Sequence, residues 1–162
     1  PCDDGVLKKA FLFACFTGLR LSDIRTFTWD KVLTTPNDST RYIRVRMLKT
    51  QQVVNVPLSK DALGYLRETE DGDEPIFRLS SAASVIEQRL AEWAKNAGIE
   101  KHVTFHVSRH SFATMMLTLD VDIYTTSKLL GHKNIATTQI YAKIIDQKKD
   151  EAVNRVNDIF KD

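Results

Sequence analysis

The chain is short of several things at once, and each shortage removes a class of protein. Cys2 and Cys15 are its only cysteines and form no C-x-x-C pair. That argues against a disulfide framework or a thiolate zinc site and makes a reducing, cytoplasmic setting the default. No apolar run approaches the roughly 20 residues of a membrane span, and no secretory signal opens the sequence. Net charge is small: 23 Lys and Arg against 21 Asp and Glu give +2. A nucleic-acid partner therefore has to be argued from local clusters, not from overall charge. No internal repeat, low-complexity tract or convincing linker divides the 162 residues, which suit one domain with a real core. The first residue is Pro1, not Met, so the sequence is expected to be a fragment or a processed piece.

What is present reads as an ordinary globular chain, 43% apolar and 27% charged. Val6, Leu7, Ala10, Phe11, Ala14 and Cys15 recur at helical spacing, and Gly18 is a plausible stop. Ser22 is expected to cap a short helix running through Thr26. Trp29 to Leu33, Tyr42 to Leu48 and Val53 to Pro57 read as strands of a small antiparallel sheet. In the middle strand Ile43, Val45 and Met47 share one face, Arg44 and Arg46 the other. Lys49 to Gln52 form the hairpin tip, without the Asn-Gly or Asp-Gly of a tight turn, so a mobile loop is expected there. Arg41, Arg44 and Arg46 make the best local basic cluster, suited to phosphate contacts.

Ser59 should cap a helix ending near Glu68, followed by an acidic turn from Glu70 to Pro75. That turn lacks the Asp-x-Asp-x-Asp spacing of a calcium loop. A longer helix is expected from Ser80 to Ala97, stopped by Gly98, and another from Thr104 to Thr118. Asp122 should cap a helix through Leu130, ended by Gly131. Asn134 should cap a last short helix, 135–142. From Asp146 to Phe160, Ala152, Val153, Val156, Ile159 and Phe160 form a further apolar stripe.

Chemistry concentrates between Thr104 and Tyr141. The run supplies a guanidinium, several imidazoles and a phenol, with no dense carboxylate cluster. Such a set suits an anionic substrate: Arg grips phosphate oxygens in a fork, His moves a proton, and Tyr attacks. His106 and Arg109, three apart on a helix, can converge on one point. His110 could join them from the next turn or pack against the fold. A zinc site on His106 and His110 is disfavoured, because the Glu of H-E-x-x-H is missing and Arg109 between them would repel a cation.

His106-x-x-Arg109-His110, then Leu130-Gly131-His132, then Tyr141 nine residues after that histidine, resembles the C-terminal half of the tyrosine recombinase (phage integrase) family. Upstream, Gly18-Leu19-Arg20 resembles the family's first arginine motif, with Asp23 at its usual acidic position, and Lys49 in the hairpin resembles its lysine. The resemblance runs from Gly18 to Tyr141 and fills all six catalytic positions: Arg20, Lys49, His106, Arg109, His132 and Tyr141. It implies a mainly helical α+β catalytic domain with a small antiparallel sheet over residues 1–162, lacking the family's N-terminal DNA-binding domain. It also implies strand cleavage and rejoining through a 3′-phosphotyrosine, with no metal, ATP or other cofactor.

In that scheme Arg20 and Arg109 clamp the scissile phosphate, His106 serves proton traffic or phosphate binding, and His132 donates to a non-bridging oxygen. Tyr141 is the nucleophile and Lys49 the general acid, while Asp23 bonds nearby backbone or braces the arginine. The implied partner is double-stranded DNA at recombination sites, bound weakly and salt-sensitively by the fragment. The full-length parent would be a homotetramer on two duplexes, which leaves the fragment free to be monomeric. The expected source is bacterial, phage or mobile-element, and no membrane is involved. The tail over 146–162 could dock on a neighbouring protomer or on its own domain. Two alternatives stay open. One is another phosphotyrosine enzyme, such as a type IB topoisomerase or telomere resolvase, which shares the chemistry but not the outcome. The other is a DNA-binding regulator that kept the fold and lost catalysis, against which the intact Arg20, Lys49, Arg109 and Tyr141 argue. A metallohydrolase is more distant.

Overall fold

The computed structural model describes residues 4–66 and 74–146. The first helix, α1 (Gly5–Thr17), starts where the Asp4 carboxylate accepts from the Leu7 N–H at 2.9 Å. It buries Leu7, Ala10, Phe13 and Ala14, and ends at Gly18, whose φ of 69° is left-handed. A short helix, α2 (Leu21–Arg25), follows directly. Its cap is Arg20, not Ser22 as expected: Asp23 reaches back to the Arg20 N–H at 3.3 Å, which sets the start two residues earlier.

The sheet is smaller than its sequence suggests. Trp29–Lys31 is a 3₁₀ turn, and only β1 (Val32–Thr34) pairs with β2 (Arg41–Arg46), from Val32 opposite Ile43 to Thr34 opposite Arg41. The third strand, β3 (Val53–Pro57), pairs antiparallel with β2, with Ile43 opposite Val56 and Val45 opposite Val54. Those four residues and Met47 are buried, while Arg44 and Arg46 face solvent. The middle strand stops at Arg46, short of the expected Leu48, because the Leu48 N–H is taken by the Asp23 carboxylate at 2.8 Å.

Ser59 does cap α3 (Lys60–Gly64), accepting from the Ala62 N–H at 3.1 Å. The helix ends at Gly64, earlier than the expected Glu68, with Tyr65 as its C-cap; residues 67–73, which include most of the acidic turn, lie outside the described residues. The next helix, α4 (Ala83–Asn96), is shorter at its start than expected, since Ser80 accepts from the Ala82 N–H and holds residues 80–82 out of the helix. Two more follow, α5 (His106–Thr118) and α6 (Ile123–Leu129), the second capped by Asp122 as expected. Asn134 accepts from the Ala136 N–H at 2.9 Å and opens α7, helical over 136–146. The apolar stripe beyond 146 lies outside the described residues.

The core forms where α1 packs on α5, and the inner sheet face, with β3 against α6, joins the same apolar cluster. Phe13 sits at its centre, its ring centroid 5.3 Å from that of Phe27 and 5.4 Å from that of Phe77. This arrangement brings the ends of α1 and α6, the start of α5 and the β2–β3 turn to one side of the domain. Among the described residues no helix is long and apolar enough to cross a membrane.

Candidate active site

Arg109 holds the site together. Its side chain is 1% exposed, and its two terminal nitrogens donate to backbone carbonyls from different elements: Nη1 to Gly18 O at 2.6 Å and Nη2 to Leu130 O. Those carbonyls close α1 and α6, where helix ends leave acceptors without intrahelical donors and concentrate negative dipole. One guanidinium thus cross-links three helices. Burial pushes its pKa down to about 10, and the neighbouring Arg20 adds to the fall. It stays cationic at neutral pH.

Arg20 lies at the other side of the Gly18 turn, half-buried. Its Nη1 is buried and has no hydrogen-bond partner among the described residues. A cationic donor in that state is costly unless an acceptor meets it. The backbone beside it is fixed by Asp23, which is 1% exposed and accepts from both the Arg20 and Leu48 N–H groups. The expectation that Asp23 would bond nearby backbone is met, and its second partner ties α2 to the hairpin tip. Lys49 follows Leu48 in that turn, exposed, and its charge reaches the His106 ring. The next residue, Thr50, has a buried hydroxyl with no partner among the described residues.

Three aromatic rings line up across the start of α5. His106 meets His110 edge to face, with centroids 4.5 Å apart, and His110 lies 5.4 Å from the Tyr141 ring. Of the two arrangements open to His110, the structure takes the one that joins the site. Burial lowers the pKa of both histidines, with His110 and then Arg109 as further causes at His106, and Arg109 at His110. Tyr141 is 4% exposed, and burial raises its phenol pKa even though Arg109 and Arg20 both pull it down. The cationic field therefore offsets the desolvation of this tyrosine only in part.

His132 follows the left-handed Gly131, φ 61°, where a Cβ would come within 2.9 Å of Val54 Cγ1 and 3.2 Å of Met47 Cγ. The glycine lets the hairpin sit directly on the end of α6. The His132 N–H donates to Ser127 O at 3.0 Å, and its Nδ1 lies 2.8 Å from the Thr138 hydroxyl on α7. Burial, then Arg109 and Arg20, push its pKa down to about 4, so the ring is neutral at neutral pH.

All six residues expected at the site belong to one electrostatic cluster: Arg20 and Arg109 act on Tyr141, His106 and His132, while Lys49 acts on His106. The expected basic patch is less unified. Arg44 and Arg46 share the outer face of β2, but Arg41 has the parity of Ile43 and Val45 and is half-buried. Among the described residues no three His, Cys, Asp or Glu side chains converge as metal ligands. Sequence reasoning passed over Thr138 and Thr50. The first carried a usable signal, a hydroxyl one helical turn before Tyr141; the second carried none.

The fold and this side-chain set define a mostly helical domain in which cations and imidazoles converge on a buried phenol. A profile of the phage integrase family matches residues 2–148. The chain belongs to that family. It is 32% identical over 155 residues to a tyrosine recombinase of Thermosipho africanus (strain TCF52B), covering 92% of this chain and 53% of that relative. The crystal structure of XerA recombinase superposes with a TM-score of 0.67 at 26% identity, covering 94% of this chain and 63% of that one. A second structure, the XerH site-specific recombinase bound to palindromic difH substrate in a post-cleavage complex, gives 0.69 at 19% identity, covering 94% and 47%. The fold is that of the tyrosine recombinase catalytic domain, and the chain spans about half the length of these relatives.

Proposed function

We propose that this chain is the catalytic domain of a site-specific DNA recombinase that cleaves and rejoins strands through Tyr141. The observation that carries the proposal is the convergence of two guanidiniums, Arg20 and Arg109, on a buried tyrosine, one of them with an unpartnered Nη1. A buried and a half-buried cation side by side repel each other; a dianionic phosphoryl transition state between them relieves that repulsion as charge grows on its non-bridging oxygens.

In the proposed step Tyr141 Oη bonds to the scissile phosphorus and the bond from phosphorus to the 5′ oxygen breaks. The phenolic proton passes to a base, the role given to His106, which stands behind His110 in the line of rings leading to Tyr141, and Lys49 protonates the departing 5′ oxygen. His132 donates to a non-bridging oxygen. The product ester is itself a phosphodiester, so a 5′ hydroxyl can reverse the reaction without ATP. A phenol whose pKa is raised in the free chain needs that base, or a rearrangement on DNA binding, before it attacks. The partner is double-stranded DNA, and the full-length parent would act as a homotetramer on two duplexes.

Covalent trapping in EDTA on a library of nicked random duplexes tests the reading. A protein–DNA adduct that survives denaturation and disappears in Tyr141→Phe is expected. An adduct that persists in the variant removes Tyr141 from its role, and one that requires added divalent metal removes the metal-free mechanism.

A further inference from the structure

The hydrogen bond between Thr138 and His132 has a direction that burial decides. Thr138 is 0% exposed, and the His132 ring is the hydrogen-bond partner its hydroxyl has among the described residues. If the ring donated from Nδ1, the threonine hydrogen would be left buried without an acceptor, at the full desolvation cost of a lost donor. If the hydroxyl donates, its hydrogen is satisfied and only oxygen lone pairs stay unused, which is the cheaper defect. The hydroxyl therefore donates and Nδ1 accepts. A neutral imidazole that accepts at Nδ1 must carry its hydrogen on Nε2.

We propose that Thr138 is a positioning residue that fixes the tautomer of His132, so that Nε2–H stands ready to donate to a substrate oxygen. This rests on the reading of His132 as a phosphate-oxygen donor. The other contacts of the ring fit the role. Its backbone is pinned by Ser127 O and by the tight seat of Gly131, which leaves ring rotation and tautomer as the remaining freedoms. Thr138 removes both. Because it stands three residues before Tyr141 on the same face of α7, with both side chains buried, it also joins the donor to the nucleophile's own helix. Movement of α7 that carries Tyr141 away would break the bond and release the donor with it.

The test compares Thr138→Val, which keeps the shape and deletes the hydroxyl, with Thr138→Ser, which keeps the hydroxyl. Long-range proton–nitrogen correlation spectra of the ¹⁵N-labelled chain at neutral pH report the tautomer without any need for DNA. The wild type and T138S should show a bare, pyridine-type Nδ1 and a protonated Nε2, and T138V should shift toward protonated Nδ1. Adduct formation in T138V should drop about tenfold, the lower end of the effect seen when a partner that orients a histidine is removed, and T138S should restore it. A protonated Nδ1 in the wild type overturns the proposal even if T138V fails to fold. So does T138V with an unchanged spectrum, or with a changed spectrum and full activity while His132→Ala is impaired. If His132→Ala also forms adduct normally, the fault lies in the role given to His132, and the spectrum still decides the tautomer.

Discussion

The Asp23 carboxylate accepts a hydrogen bond from the Leu48 N–H at 2.8 Å, across 25 residues of sequence. It also receives the Arg20 N–H, so a single buried side chain sets both the first arginine and the turn that carries Lys49. Asp23→Ala should leave two part-buried donors without their carboxylate and lower stability by about 1–3 kcal/mol. Asp23→Asn retains an acceptor for one donor only and should fall between. Adduct yield should fall more than the folded fraction does, because Lys49 loses its anchor. Equal losses in the two would mean that Asp23 acts through stability alone.

Arg109→Lys keeps the charge and loses the fork. An ammonium cannot reach both Gly18 O and Leu130 O in the geometry a planar guanidinium provides. The variant should lose about 2–3 kcal/mol of stability, as expected for one charge-assisted hydrogen bond, and should form no detectable adduct. Denaturant midpoints and trapping measure the two effects separately; wild-type behaviour in both would show that the cross-link is dispensable.

Gly131→Ala and Gly98→Ala form a controlled pair. Both glycines have positive φ, 61° and 73°, but an added Cβ strikes Val54 and Met47 at Gly131 and meets open space at Gly98. Left-handed strain alone should cost about 1–2 kcal/mol at Gly98. At Gly131 crowding adds a further 1–3 kcal/mol or so. Similar urea midpoints for the two variants would refute the close seat of the hairpin on α6.

Stability should depend on pH in a window set by histidine. His132 has its pKa pushed down to about 4 from an ordinary 6.5, and those of His106 and His110 are lowered as well. Between the folded and unfolded values the unfolded chain binds protons that the folded chain refuses, so stability falls as pH drops from about 6.5 toward 4. The lowered carboxylates Asp4, Asp38 and Asp122 contribute stability that is lost only further down, as pH falls from 3.8 through their folded values. Urea midpoints taken from pH 7 to 4 should decline, and less so in His132→Gln. A flat profile would contradict the partial desolvation of His110 and His132.

The sequence by itself determined the α+β class, most of the helices, the alternation of β2 and the six residues of the candidate site. These are local or pattern-borne properties: Gly18 and Gly131 stop helices, Ser59, Asp122 and Asn134 cap them, and His106 and Arg109 share a face through helical spacing. Where local signals competed, the tertiary structure decided. Ser22 is a good cap in isolation, yet Asp23 captured the Arg20 N–H and moved the helix start. Leu48 reads as strand, yet its N–H went to the same carboxylate. Trp29 and Asp30 have no partner on β2 and turned into 3₁₀ backbone. Pairing across 25, 91 and 21 residues, from Leu48 to Asp23 and from Arg109 to Gly18 and Leu130, depends on which elements meet, and no local spacing encodes that. The same holds for burial: only packing raised the Tyr141 phenol, kept His132 neutral and turned a threonine of α7 into its partner.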